Sequence, residues 1–293
     1  MIDYIEKRKN PMLNKLSETI YYLSNQDDRE RPTLGLVCGN RYSLIIDSGN
    51  SPQHAKDFLL EIENLNVPPV KYVVITHAHW DHFLGMNEFD ATVIVNSQTN
   101  EIIKEWQSFS YDDSSLQKYV TTSQMSAMCM KIIQTDMPNR DRFKLKSPDV
   151  IFENTLTIDL GNKICILKSI KSTHTDDSTI IYIPDEKVIF LGDCAYGTTT
   201  NSLFHYKQSL LLPMIKDIQK FDAEMFLLGH ESICDLNEMN IYWKELTTAS
   251  QVVKSTSLEN AIESFKAENK RDPNDNEIFF IKAFVNDHII QSQ

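Results

Sequence analysis

Four consecutive strand-type residues, Tyr72-Val73-Val74-Ile75, run directly into Thr76-His77-Ala78-His79-Trp80-Asp81-His82. This junction constrains the fold more than any other stretch of the chain. Four candidate metal ligands in six positions do not suit a packed interior, which rarely takes several imidazoles and a carboxylate without partners. A divalent cation supplies that partner, because neutral imidazole and carboxylate are ordinary zinc ligands. The segment begins where the chain leaves the end of a sheet. His77 and His79, two positions apart, can converge on one ion, while Asp81 and His82 turn toward a second point.

Further ligands are expected far away in sequence, each at the end of a strand. His174 follows Ile164–Ile170, within Thr173-His174-Thr175-Asp176-Asp177-Ser178. Asp193 follows Lys187–Leu191, and His230 follows Met225–Leu228. Gly192 and Gly229 precede the last two and let backbone approach a crowded centre. Five of the eight histidines fall in this arrangement.

The rest of the chain supports sheets backed by helices. Thr33–Cys38 and Tyr42–Ile46 flank Gly39-Asn40-Arg41 as a hairpin-like connection. Ser51-Pro52 reads as an N-cap and a first helical position, with Phe58, Leu59 and Ile62 on the apolar face. A short strand follows at Thr92–Val95. Ile102, Ile103, Trp106 and Phe109 then recur at helical spacing, as do Met125, Met128 and Ile132, which suggests two or three inserted helices. These are expected as a packed helical layer, with a lid over an active site as the sharper alternative. Alternation resumes at Leu156, Ile158 and Leu160, turns at Gly161-Asn162, and returns at Ile164 and Ile166. Thr179–Ile183 and Lys187–Leu191 flank Pro184-Asp185-Glu186, and Thr198–Phe204 reads as a loop. Late helices carry Leu258, Ile262 and Phe265, then Ile281, Phe284 and Val285 after an Asp272-Pro273 cap. We expect a single domain over residues 1–293, with a helical insertion at about 97–148 and C-terminal helices at about 240–293.

Composition narrows the partners. Hydrophobic residues make up 41% and charged ones 24%, which excludes a mainly disordered chain. A net charge of −12 argues against nucleic acid, whose phosphates call for a surplus of Lys and Arg. Met1-Ile2-Asp3-Tyr4-Ile5-Glu6-Lys7 has no apolar core of a secretory signal, and no apolar run is long enough to span a bilayer. Five scattered cysteines, none spaced as C-x-x-C, read as reduced buried residues. The expectation is a cytoplasmic protein with a small-molecule substrate, no nucleic-acid or membrane partner, and apolar helix faces available for a homodimer.

The pattern His77-x-His79-x-Asp81-His82, followed by His174, Asp193 and His230, resembles the metallo-β-lactamase superfamily over about residues 18–232. Asp47 matches the aspartate that ends an early strand there. The resemblance implies an α+β fold, an αββα sandwich with metals at the sheet edge. It also implies that His77, His79 and His174 hold a first metal, that Asp81, His82 and His230 hold a second, and that Asp193 bridges both. Two divalent ions are expected, zinc first and iron or manganese as alternatives. The implied activity is a binuclear hydrolase in which metal-bound hydroxide cleaves an ester, lactone, thioester or amide. Asp81 would orient the nucleophile and take up its proton, and Asp47 would orient a ligand imidazole.

Departures from the family's patterns sort the alternatives. His79 stands where the superfamily's diiron flavoproteins carry glutamate, which weakens oxygen or nitric oxide reduction. Nucleases are weakened by the charge. His174-Thr175-Asp176-Asp177 is closer to the sequence of true β-lactamases than to the glycine-proline-glycine setting of glyoxalase II-like thioesterases and many lactonases. A β-lactamase-like amidase is therefore the nearest rival, followed by a non-catalytic metal or ligand sensor and an iron-dependent oxygenase. Tyr196 stands where acyl-homoserine lactonases of the superfamily keep a tyrosine; it either donates to the substrate carbonyl or packs beside the site. Trp80 either walls the cleft or packs under the inserted helices. His54 and His288 are expected as surface or packing residues, His205 as a weak candidate for the pocket wall, and Cys194 as no nucleophile, since no base adjoins it.

Overall fold

The computed structural model describes residues 13–293, so Met1–Lys7, read above for a leader, lies outside the described residues. These residues form two compact units. Unit 1 holds residues 13–153, Thr157–Cys165 and Gly229–Ser232; unit 2 holds Asn154–Leu156, Ile166–Leu228 and Ile233–Gln293.

Unit 1 is built on a sheet of β1 (Asn14–Lys15), β2 (Ile20–Leu23), β3 (Leu34–Cys38), β4 (Ser43–Ile46), β5 (Val70–Val74), β6 (Thr92–Asn96) and β7 (Val150–Phe152), side by side in that order. Strands β1 to β4 pair antiparallel, and β4 to β7 pair parallel. Both β3 and β4 are buried along their whole length, which accounts for their mostly apolar residues. Parallel neighbours need crossovers. The first is α1 (Pro52–Glu63), where the Ser51 side chain accepts from His54 N and Ala55, Phe58 and Ile62 face the core. The second contains the single turn α2 (Trp80–Phe83). The third contains α3 (Ser97–Gln107), α4 (Asp113–Thr121) and α5 (Ala127–Asp136), capped by Asn96, Asp112 and Ser126.

Met128, expected in the apolar stripe with Met125 and Ile132, is instead 48% exposed. Met125 precedes the cap Ser126, so helical spacing cannot be counted across it. A buried ion network also ties α1 and α5 together. Arg31, only 1% exposed, donates to Asp57 at 3.0 Å and to Asp136 at 3.3 Å, and Arg29 donates to Asp136 at 3.0 Å.

Unit 2 carries most of a second sheet. Its strands are β8 (Thr155–Asp159), β9 (Ile164–Ile170), β10 (Ser178–Ile183) and β11 (Val188–Gly192), with two more described below. The segment Thr198–Phe204 is not a loop. It folds as a hairpin of β12 (Thr198–Thr200) and β13 (Leu203–His205), because Asn201 and Ser202 take φ of 51° and 64°, the left-handed pair a two-residue turn requires. Then come α6 (Gln208–Ile218), β14 (Met225–Leu228), β15 (Cys234–Asp235), α7 (Leu236–Val252), α8 (Leu258–Asn269) and α9 (Asp275–Gln291). The sheet order is β15-β14-β11-β10-β9-β8, with β11 and β14 parallel. Leu211, Trp243, Phe265 and Phe284, from the four helices, share one core with Ile180 and Leu191 of the sheet. The last helix is capped by Asn274 rather than Asp272: Asn274 and Glu277 form a capping box, and Arg271 clasps the Glu277 carboxylate.

Mixed sheets flanked by helices give the α+β class expected from the sequence. No helix of the described residues is long and apolar enough to cross a membrane.

Candidate metal centre

In unit 1 the histidine-rich segment leaves the carboxyl end of β5, and Asp47 leaves the carboxyl end of its parallel neighbour β4. Open parallel sheets gather ligands at such strand ends. Asp47 is buried and accepts three hydrogen bonds: from Thr76 N at 2.7 Å, from Thr76 Oγ1 at 2.9 Å and from His82 Nδ1 at 2.8 Å. Since the Thr76 hydroxyl hydrogen goes to Asp47, its oxygen accepts from His77 Nδ1 at 3.1 Å. Asp47 and Thr76 together therefore place a proton of both His77 and His82 on Nδ1, and Nε2 is the nitrogen each ring would offer a metal. Thr76 is a functional residue that the spacing argument missed, although a hydroxyl inside the histidine run was its signal.

The rings are crowded: His77 lies 4.6 Å from His79 and 4.2 Å from His82, centroid to centroid. Nitrogen or oxygen atoms of Asp81, His82 and His230 all lie within 4.8 Å of one another, and the same holds for His77 and His79. His230 Nε2 is 3.0 Å from Asp81 Oδ2, and His82 Nε2 is 3.4 Å from the same oxygen. Burial would raise the Asp81 carboxyl, but attraction to His82 and hydrogen bonds from His230 and His82 outweigh it and hold the group well below the usual carboxylate range. The chain holds His230 in unit 1 by backbone: Thr33 N donates to Gly229 O at 2.6 Å and Asn25 Nδ2 to His230 O at 3.0 Å. Gly85 supports the segment from behind, where a Cβ would meet Ser48 O at 2.0 Å.

Unit 2 contributes His174, after β9, and Asp193, after β11. His174 Nδ1 lies 2.5 Å from Gly197 O. A carbonyl only accepts, so Nδ1 carries a proton, which makes Nε2 the nitrogen this ring would offer a metal. That Nε2 is 3.5 Å from Asp193 Oδ2, itself an acceptor when ionised. A divalent cation would join the two, since a ligating imidazole nitrogen and a carboxylate oxygen are both electron-pair donors. The donor chemistry of both units thus fits divalent metal. The Gly197 carbonyl, a backbone atom, left no trace in the residue pattern.

The other candidates separate clearly. Tyr196 is half-buried, packs on the unit 2 core, and its carbonyl accepts from Thr173 Oγ1 at 2.6 Å. Trp80 is half-buried against the unit 1 core. His54 is a buried packing residue rather than a surface one; burial, then repulsion from Arg31 and Arg29, holds its pKa well below the ordinary value. His205 is buried between Asp287, at 2.9 Å, and Thr200, at 3.0 Å, and His288 pairs with Gln208. Burial and then the neighbouring Asp193 push the Cys194 thiol up, as befits a residue with no nucleophilic role.

Several known proteins are similar to this chain. The human acyl-coenzyme A thioesterase MBLAC2 is 20% identical over 195 residues, 62% of this chain and 65% of that protein, so the match falls just short of two thirds of its length. The metallo-beta-lactamase from Pontibacter korlensis has a similar fold, with a TM-score of 0.56 and 18% identity over 79% of this chain and 96% of that one. The stereoselective inverting sec-alkylsulfatase Pisa1 from Pseudomonas sp. gives a TM-score of 0.59 at 14% identity, covering 89% of this chain and 43% of that one. Identities this low speak for the fold alone. Residues 29–230, well over half of the chain, match the family model of the Metallo-beta-lactamase superfamily, and the chain belongs to that superfamily.

Proposed function

We propose that the chain is a binuclear metal-dependent hydrolase that cleaves an ester, lactone, thioester or amide of a small molecule, with a thioester foremost. The observation that carries this reading is the proton placement on His77, His82 and His174. Each ring has its Nδ1 committed to an acceptor, which turns Nε2 toward coordination. His77, His79 and His174 would hold one cation, Asp81, His82 and His230 the other, with Asp193 shared between them. Zinc suits this donor set best. Divalent ions bound there would supply Lewis acidity, polarising a carbonyl and acidifying water.

The chain's own residues do the rest. Asp81, ionised at neutral pH, accepts the proton of the attacking water at a carboxylate oxygen. Tyr196 donates its phenol to the substrate carbonyl oxygen as negative charge develops there. Similarity to the human acyl-coenzyme A thioesterase supports the thioester choice.

The test is a panel of acyl-coenzyme A thioesters, lactones, carboxyl esters, β-lactams and phosphodiesters, assayed on metal-loaded protein. Thioester turnover is expected, lowered at least a thousandfold by His174→Ala or Asp193→Ala and about a hundredfold by Tyr196→Phe. β-Lactam turnover alone would instead favour the amidase, which the His174-Thr175-Asp176-Asp177 sequence supports. No turnover of any member would contradict the enzyme reading and leave the sensor.

A further inference from the structure

In unit 2 the turn that follows β11 is gripped through its backbone oxygens. Asp193 O accepts from Tyr196 N at 2.8 Å and closes the turn. The next three carbonyls but one each accept from a different side chain: Ala195 O from the Tyr242 hydroxyl at 2.8 Å, Tyr196 O from Thr173 Oγ1 at 2.6 Å, and Gly197 O from His174 Nδ1 at 2.5 Å. Thr173 and His174 are neighbours in the loop after β9, so that loop is tied to the turn twice. Tyr242, on α7, supplies the third tie.

Both outer donors are fixed in place. Thr173 and Ala195 are fully buried, so a carbonyl that loses its donor there cannot turn to bulk water instead. Because the Tyr242 hydrogen goes to Ala195 O, its oxygen accepts from the Tyr206 hydroxyl at 3.2 Å. Phe280 meets the Tyr242 and Tyr206 rings edge-on, at 84° and 86°, with centroids 5.7 and 5.8 Å away. Helix α7 lies outside residues 29–230, so this grip on the turn comes from the chain's C-terminal helices rather than from the part matched by the family.

We propose that Tyr242 and Thr173 are positioning residues for the candidate metal centre: by holding Ala195 and Tyr196 they set the turn that presents Asp193 beside His174. The inference rests on the metal-dependent reading above. His174 Nε2 and Asp193 Oδ2 stand 3.5 Å apart, and one end of that spacing is carried by the turn. Groups that orient a ligand directly are worth about 10–100-fold in metal affinity. Tyr242 and Thr173 act through backbone, one step further out, so about five- to tenfold is expected of each.

The experiment measures zinc affinity by chelator competition on this chain and on its Tyr242→Phe, Thr173→Val, Thr173→Ser and Tyr182→Phe variants. Tyr182 is the comparison, since its hydroxyl also donates to a unit 2 backbone carbonyl, Asp222 O at 3.0 Å, in a segment without a candidate ligand. Tyr242→Phe and Thr173→Val should weaken zinc about five- to tenfold, while Thr173→Ser, which keeps the hydroxyl, and Tyr182→Phe stay within about twofold. A purely structural role would lower stability alike in Tyr242→Phe and Tyr182→Phe and leave both affinities equal. Affinity unchanged in Tyr242→Phe and Thr173→Val, or lowered as much in Tyr182→Phe, overturns the positioning role while the hydrolase stands. If the wild-type chain takes up no zinc, the metal-dependent reading fails, and hydrogen exchange at the Cys194 and Tyr196 amides decides the rest. Faster exchange in Tyr242→Phe and Thr173→Val than in Tyr182→Phe keeps their hold on the turn, and unchanged exchange overturns it.

Discussion

His82 Nδ1 and Asp47 Oδ2 meet at 2.8 Å with both side chains buried, and Asp47 reaches this contact from a left-handed backbone of φ 59°. A non-glycine residue held there stores about 1–3 kcal/mol of strain, which persists only where surrounding bonds over-determine it. Here Thr76 and His82 do so together. Asp47→Asn keeps an acceptor oxygen but removes the charge that polarises His82 and, through Thr76, His77. It should weaken metal binding about 10–100-fold in a chelator competition. Asp47→Ala should in addition lower stability by about 1–3 kcal/mol in urea, since Thr76 and His82 lose their buried acceptor.

Asp136, at the end of α5, is the partner of both Arg31 and Arg29. Asp136→Asn leaves the fully buried Arg31 guanidinium facing Asp57 alone. Removing one member of a buried ion network costs about 3–5 kcal/mol. Equilibrium urea unfolding should show that loss, and Arg31→Met paired with Asp136→Leu should recover most of it, because an apolar replacement buries no unpaired charge.

Burial pushes several thiols up: Cys165 to about 12 and Cys234 to about 11, with Cys38 and Cys129 raised as well. Folding thus favours the protonated thiol, and the unfolded chain releases these protons first as the pH climbs past about 8.5. Stability should hold near neutrality and fall progressively between about pH 9 and 11, seen as a declining urea midpoint. Cys165→Ala should make that decline shallower. At pH 7 the native protein should resist iodoacetamide, with mass spectrometry finding the five cysteines unmodified.

The metal segment was readable because coordination chemistry dictates residue type and spacing together. Tyr72–Ile75 named the strand, and His77, His79, Asp81 and His82 named the chemistry at its end. The flanking support was less visible. Thr76 acts through a hydroxyl that in isolation suggests only a strand residue, and Gly197 acts through a carbonyl that every residue possesses. The two-residue β1 and three-residue β7 are too short to establish an alternation. The hairpin at Thr198–His205 hid because Ser202 takes a left-handed conformation without the glycine that usually announces it. Met128 shows the opposite error, in which a periodic match ran across a helix cap that ends the period.

The most direct measurement is elemental analysis of this chain purified without added metal, beside its His82→Ala and His174→Ala variants. The account predicts about two divalent ions per wild-type chain, as in two-metal hydrolases, and about one or fewer in each variant. A wild-type content near zero that zinc, iron or manganese fails to raise, or variants that bind as much metal as the wild type, would contradict it.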